Sequence, residues 1–308
     1  MNEKVVGVWL FMQIKSISYK KFNELKRLEL DKSIIATEGK LFFIDDKNKW
    51  DKKQKVVKRF YNDFGSGFGN KLVTINSLVD QKEVIDIAEL VMPEKLVVSS
   101  GRIVGYTMDY IDGENLSLLL KNPKLDKEKA INYLKQIGII LEKINKLNEY
   151  DKVSNFYLND IHEANFVVDK NDVVHVVDMD SCRIDDNTPF EAKYLSHFSQ
   201  IDLFPQKYIP QNNKKAVGHI IPDRNSDLYC YNIMILNYLY QDKITSLDID
   251  EFYEYLNYLR SIGFPSELLD SFSLIYDYQD NINPYVYLDL IPSDKGRAVK
   301  KVYDLKRK

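Results

Sequence analysis

Tyr157–Ile184 reads YLNDIHEANFVVDKNDVVHVVDMDSCRI. Within it, two short β-rich runs, Asn165–Asp169 and Val173–Asp178, flank the turn-forming Lys170-Asn171-Asp172, so the middle of the stretch reads as a hairpin. The polar run ahead of the hairpin carries Asp160 and Asn165, five residues apart. The second strand delivers Asp178 just past its end, eighteen residues after Asp160. A loop and a strand end joined in this way can face one cleft.

Upstream, Ser33–Thr37 (SIIAT), Lys40–Asp46 (KLFFIDD) and Gln54–Tyr61 (QKVVKRFY) alternate with Gly39 and the charged cluster Asp45–Lys53, the pattern of an antiparallel meander. The glycine-rich FGSGFG at 64–69 then leads into a helix expected within Ile75–Leu90. Two more strands follow, KLVVSS and RIVGYTMDYI, joined by Gly101. The sum is a five-stranded sheet with one helix. After Asp112-Gly113 the pattern turns helical, with Leu and Ile three and four residues apart through Lys127–Leu147 and further helices expected at about 225–240, 248–261 and 265–276. The expected class is therefore α+β in two lobes: an antiparallel β-rich lobe over 33–112 and a mainly helical lobe over 113–285. Residues 1–32 form an N-terminal extension and 286–308 a basic tail, and the hinge falls around Met108–Glu114.

At 308 residues and 44% hydrophobic content the chain can bury a full core. A net charge of −3 gives no bulk attraction to nucleic acid, which is not an expected partner. Cys182 and Cys230 lie far apart, without CxxC or His clustering, so neither a disulfide framework nor a cysteine zinc site is read. A reducing cytoplasm fits that usage. The apolar Val5–Ile14 is too short to span a bilayer and lacks the basic start and cleavage site of a secretory signal, so it is expected to pack on the core, with no membrane partner. Seven Lys or Arg residues against one Asp in Lys295–Lys308 read as a solvated end rather than a docking site.

An Asp, an Asn and a second Asp suit phosphoryl transfer. That chemistry needs magnesium bridging phosphate oxygens and a carboxylate that orients the incoming hydroxyl and accepts its proton. In order and spacing the set resembles the catalytic loop HRDxxxxN and the DFG motif of the protein-kinase superfamily, and the resemblance runs from about Ser33 to Tyr240. It implies a protein-kinase-like fold with ATP and Mg2+ as cofactors. Asp160 would be the catalytic Asp, Asn165 and Asp178 would hold magnesium, and Lys58 in VVKRFY would be the strand-three lysine on the α- and β-phosphates. GYTMDYIDG (105–113) resembles the hinge that holds adenine by backbone bonds, which singles out Asp109 and Ile111. Asn225-Ser226-Asp227-Leu228-Tyr229 resembles the SDLY segment, in which the Asp braces the catalytic loop, so Asp227 is structural.

The pattern also departs from that family. Between the first two strands only Ala36-Thr37-Glu38-Gly39-Lys40 stands where a glycine-rich phosphate cover is usual, leaving Gly39 as its remnant. FGSGFG follows Lys58 and so lies on the wrong side of the third strand. The Glu that should pair with Lys58 has no evident match, Glu83 and Glu89 being the candidates. Leu158 replaces the HRD His, and the DFG position reads Asp178-Met179-Asp180.

His162 and the DxD form resemble aminoglycoside and choline phosphotransferases, in which Asp180 would assist with a second magnesium. The bland readings are a His162 bonded to nearby backbone and an Asp180 in a turn. A bacterial group of eukaryotic-like Ser/Thr protein kinases resembles both sets of features. The 48 residues between Asp178 and Asp227 have the length of an activation segment and contain Thr188, Ser196 and Ser199, but Phe204-Pro205-Gln206 lacks the acid of the usual APE motif.

Three functions follow as expectations. The first is a Ser/Thr protein kinase that transfers the γ-phosphate to a protein hydroxyl. The second is a small-molecule phosphotransferase with an acidic pocket from Asp185, Asp186 and Glu191. The third is a pseudokinase scaffold that binds partners.

Overall fold

The computed structural model describes residues 14–31, 39–44, 54–61, 68–189, 221–276 and 281–292. Over these the chain is α+β, with a mixed five-stranded sheet and several helices, an arrangement compatible with two lobes. Strand β1 is Ile14–Ser16, helix α1 Tyr19–Asn23, β2 Gly39–Ile44, β3 Lys55–Phe60, α2 Phe68–Asp80, α3 Lys82–Ile85, β4 Lys95–Ser99 and β5 Arg102–Asp109. The strand order is β1-β4-β5-β3-β2.

The pairs β2–β3, β3–β5 and β4–β5 are antiparallel, but β1 runs parallel to β4, with Ile14 opposite Leu96 and Ser16 opposite Val98. The wholly antiparallel sheet expected from the sequence is therefore corrected to a mixed one. The parallel strand comes from the N-terminal stretch. Its three residues are too few to show a period-two pattern, so only long-range pairing reveals it. The expected strand SIIAT at 33–37 lies outside the described residues. The single helix also becomes three. α2 starts at Phe68 rather than near Ile75, and α3 stops at Asp86, whose φ of 33° breaks the helical path.

Alternation along β3 decides what covers each face of the sheet. Val56 and Phe60 point to one face, where they pack with Ile75 of α2 and with Leu96, Tyr106 and Met108. Val57 points to the other face, with Phe22 of α1, Ile17, Ile44 and Val97. Arg59 follows Val57 and stacks its guanidinium 4.9 Å from the Phe22 ring. Lys58, between Val57 and Arg59, shares the parity of Val56 and Phe60 and so faces α2.

The second half opens with β6 (Gly113–Asn115) and α4 (Leu116–Lys121), then α5 (Lys127–Glu149), β7 (Phe166–Asp169), β8 (Val174–Val176), α6 (Arg224–Tyr240), α7 (Ile249–Ser261) and α8 (Ser266–Ser273). β7 and β8 form the expected hairpin, and β6 joins it antiparallel to make a three-stranded sheet. Asp126 caps α5 by accepting a bond from Lys129 N, and the buried stripe Ala130, Ile131, Leu134, Ile137, Gly138, Leu141 and Ile144 fixes its inner face. α6 is apolar nearly all round and is almost wholly buried, as such a helix must be. A capping box between Asp223 and Ser226 starts it.

The halves are joined through the hairpin. Val91 N donates to Val176 O at 2.9 Å and Val176 N to Glu89 O at 2.8 Å, while Lys143 Nζ of α5 meets Glu89 at 2.6 Å. Among the described residues, no helix is long and apolar enough to cross a membrane. The basic stretch 295–308, Ser196, Ser199, Glu191 and Phe204-Pro205-Gln206 lie outside the described residues.

Candidate functional site

The loop ahead of the hairpin is held from three sides. At its entry the Asn148 side chain, near the end of α5, clamps the Phe156 peptide, accepting from its N and donating to its O at 2.8 Å each. From below, Asp227 in the first turn of α6 accepts from Leu158 N and Asn159 N, both at 2.8 Å. From the far side, Tyr157 and Arg183 exchange backbone bonds of 3.0 and 2.9 Å, and Asn159 Nδ2 donates to Ser181 O at 3.3 Å. The two hydrogen bonds that Asp227 accepts bracket Asn159 at φ 62°, a left-handed conformation that Asn tolerates better than most residues.

Asp160 and Asn165 are coupled within the loop, since Asn165 Nδ2 donates to Asp160 O at 2.8 Å. Val177 N donates to Asn165 O at 2.9 Å, which ties that loop to the residue before Asp178. His162 accepts from Ala164 N at 3.3 Å through Nδ1, the backbone bond of the blander reading, and its Nε2 lies 3.7 Å from Asp160 Oδ1.

Asp178 leaves the hairpin with φ 65° and ψ 57°, and this left-handed step turns the chain into a 3₁₀ turn over Met179–Ser181. Lys58, 120 residues earlier, donates to Asp178 Oδ1 and, at 3.0 Å, to Asp180 Oδ2. Lys71 of α2 lies 3.2 Å from Asp180 Oδ1. Two lysines and two aspartates thus converge between the sheet, α2 and the post-hairpin turn. Lys58 and Lys71 are buried, and Asp180 has no exposed side-chain surface.

Burial, and after it the neighbouring Asp180 charge, pushes the Asp178 carboxyl upward against the pull of Lys58. Its side chain is still 36% exposed, so water tempers that rise. At Asp180 burial also acts to raise the value, but the charges of Lys58 and Lys71 outweigh it and hold the carboxyl below its ordinary range. Asp178 is therefore the carboxylate that meets solvent, and Asp180 the enclosed one.

The other singled-out residues sit as follows. Gly39 pairs with Phe60 at the start of β2, and a Cβ there would lie 2.4 Å from Arg59 O, so close strand packing already accounts for the glycine. Asp109 ends β5, and its side chain takes an ion pair from buried Lys55. Ile111 follows it, half-buried. Glu89 is engaged by Lys143, and Glu83 is exposed on α3. Asp185 accepts from Gln81 Nε2 at 2.8 Å, which joins it to the end of α2.

Sequence reasoning missed Lys71. The signal was present, because Lys71, Thr74, Ile75 and Leu78 are spaced i, i+3, i+4, i+7 and all four are buried. A lysine inside that apolar stripe requires a buried acid, which Asp180 supplies.

No family model matches the chain. Among curated proteins, an 89-residue stretch is 32% identical to the dual specificity protein kinase zakA of Dictyostelium discoideum. That stretch is 29% of this chain and spans only 11% of the length of that relative. The similarity points to a kinase relationship over that stretch alone.

Proposed function

We propose that the chain is an ATP- and Mg2+-dependent phosphotransferase of protein-kinase-like fold, acting on a hydroxyl acceptor, most specifically as a Ser/Thr protein kinase. One observation carries the reading. Lys58 on the third strand of the meander and Asp178 after the hairpin meet across 120 residues of chain, on the same turn that is stitched to the Asp160–Asn165 loop. A sheet-borne lysine beside an exposed carboxylate suits the polyphosphate and metal of a nucleotide.

The donor set fits magnesium. With its Nδ2 given to Asp160 O, Asn165 presents an amide oxygen, and Asp178 offers a solvent-facing carboxylate. Among the described residues, no three His, Cys, Asp or Glu side chains form a metal cage. Magnesium does not require one, since it takes one or two protein oxygens and completes its shell with water and phosphate. When bound, it would neutralise charge on the transferred phosphoryl group.

Lys58 would contact the phosphates, and Asp178 with Asn165 would hold the metal. Asp160 would accept the hydroxyl proton, held in register by the loop bonds that Asp227 anchors. Asp109 and Ile111 would present backbone groups to adenine. Gly39 would lie at the root of the phosphate cover.

The protein-acceptor reading is favoured over the small-molecule one by two features. Asp227 clasps the loop by accepting from Leu158 N and Asn159 N, and His162 Nδ1 is taken by Ala164 N. The relative's name, a protein kinase, points the same way.

The decisive experiment is a thermal shift of the full chain with Mg-ATP, followed by transfer of labelled γ-phosphate to generic protein substrates and to a panel of amino-alcohols and aminoglycosides. Nucleotide binding must stabilise the fold by mass action. The expected result is stabilisation with ATP only when magnesium is present, and label on protein. Absence of stabilisation defeats the reading, and label on a small acceptor alone moves it to the second class.

A further inference from the structure

We propose that Lys71 is a positioning residue which holds Lys58 through Asp180: the carboxylate that fixes the strand lysine comes from the post-hairpin turn, and α2 supplies a cation where an acid was expected. The proposal rests on reading Lys58 as the phosphate-contacting group.

Three observations support it. First, Lys58 touches two carboxylates that differ in kind. Asp178 is 36% exposed, open to a metal that would draw it from Lys58. Asp180 is enclosed and stays. Second, the two Asp180 oxygens are divided, Oδ2 accepting from Lys58 at 3.0 Å and Oδ1 facing Lys71 in an ion pair at 3.2 Å, so both lysines bear on one carboxylate. Third, a lysine on the inward stripe of α2 bears a desolvation cost that Met would avoid at similar volume. The charge at Lys71 is explained by the buried Asp180 it faces, and Glu89, the sequence candidate for the Lys58 partner, is taken by Lys143.

In this arrangement Asp180 orients a lysine and is not a second metal ligand. It also links α2 to the site, since any displacement of the helix carries Lys71 away and loosens Asp180. Helix and turn are further joined where Thr74 Oγ1 donates to Cys182 O at 3.5 Å, and Asn187 Nδ2, farther along the chain, reaches Thr74 Oγ1 at 2.5 Å and Asn70 O at 2.9 Å. A shift of α2 would therefore be felt at Lys58 without any contact between α2 and nucleotide.

The test uses the full chain as wild type, Lys71→Met, Lys71→Arg and Asp180→Asn. Lys71→Gln replaces Lys71→Met if the latter does not fold. The first readout needs no nucleotide: the rate at which a small amine-directed reagent modifies Lys58, followed by mass spectrometry on protein shown to be folded by its melting transition. Loss of the buried pair is expected to speed that modification about tenfold in Lys71→Met and in Asp180→Asn, with Lys71→Arg within about twofold of wild type.

The second readout is the Kd for Mg-ATP, expected to weaken about tenfold in Lys71→Met and to recover in Lys71→Arg. If Lys58 is modified in Lys71→Met at the wild-type rate, or Arg restores nothing, the proposal is overturned. If Asp180→Asn abolishes the magnesium dependence of binding yet leaves Lys58 protected, Asp180 is a metal ligand and the proposal is likewise overturned. Wild type that fails to bind Mg-ATP defeats the proposed function, whereas the labelling result still decides what holds Lys58.

Discussion

Replacing Asp227 by Ala removes the carboxylate that accepts from two buried peptide N–H groups, those of Leu158 and Asn159. An orphaned buried donor costs about 1–3 kcal/mol, so the pair costs about 2–6 kcal/mol. That is a large share of the roughly 5–15 kcal/mol that holds a typical domain together. Asn159 also loses the contact that keeps it at φ 62°, so the Asp160 loop is expected to relax along with the drop in stability.

The cost depends on pH, and its sign can be worked out. Burial is the largest influence on the Asp227 carboxyl and lifts it from 3.8 to about 7, against the two N–H bonds that favour the charged form. Between those values the folded chain holds one more proton than the unfolded chain. The associated stability is full below pH 3.8 and is lost as pH climbs through about 7. At about 1.4 kcal/mol per unit over roughly three units, the loss is at most about 4 kcal/mol. Asp227→Ala has no such group, so its deficit relative to wild type is largest at pH 5 and smaller at pH 8. Urea denaturation of both proteins at the two pH values measures it. A deficit under about 0.5 kcal/mol at pH 5 would refute the bracing role. A deficit that grows with pH would show that the N–H bonds to the charged carboxylate outweigh its burial.

Three further outcomes are expected. Gly138→Ala on α5 would set a methyl 2.4 Å from Tyr285 Cβ and 2.6 Å from Tyr231 Oη, an overpacking that should lower stability by about 1–3 kcal/mol in the same denaturation assay. Gly105→Ala on β5 would bring a Cβ to 2.0 Å from Lys58 O, so it should push β3 and β5 apart at the lysine and cut the Mg-ATP thermal shift more than a change of equal stability cost on α7. Asp178→Ala should abolish the magnesium-dependent part of the ATP shift, read by melting with ATP in the presence and absence of magnesium, and a shift that keeps its magnesium dependence would refute Asp178 as the metal-facing carboxylate.

What the sequence exposes and what it hides differ by the range of the interactions involved. The Asp160–Asn165–Asp178 spacing is legible because loop and hairpin are local: few geometries let a short loop and a two-stranded turn share hydrogen bonds, and the Val177–Asn165 bond is one consequence. The long helices Lys127–Glu149 and Arg224–Tyr240 are legible for a similar reason, since their apolar periodicity is written along a single segment. Strand Ile14–Ser16 is not, because its only strong claim to be a strand is a parallel partner more than eighty residues away. Gly113–Asn115 reads as a turn until Val167–Asp169 pairs with it.

Lys71 belongs to neither group. Its stripe is local and its burial could be read from i, i+3, i+4, i+7 spacing, yet a lysine in that pattern is ordinarily assigned to the solvent face. A search for a Glu on the helix also looks for the wrong sign of charge. The strand lysine faces two carboxylates from one turn, Asp178 and Asp180, and the second negative charge is matched by a second cation on the helix that packs against that turn. Asp180 in the DxD form and Lys71 in the helix are thus two halves of one feature, and each looks anomalous until the other is placed beside it.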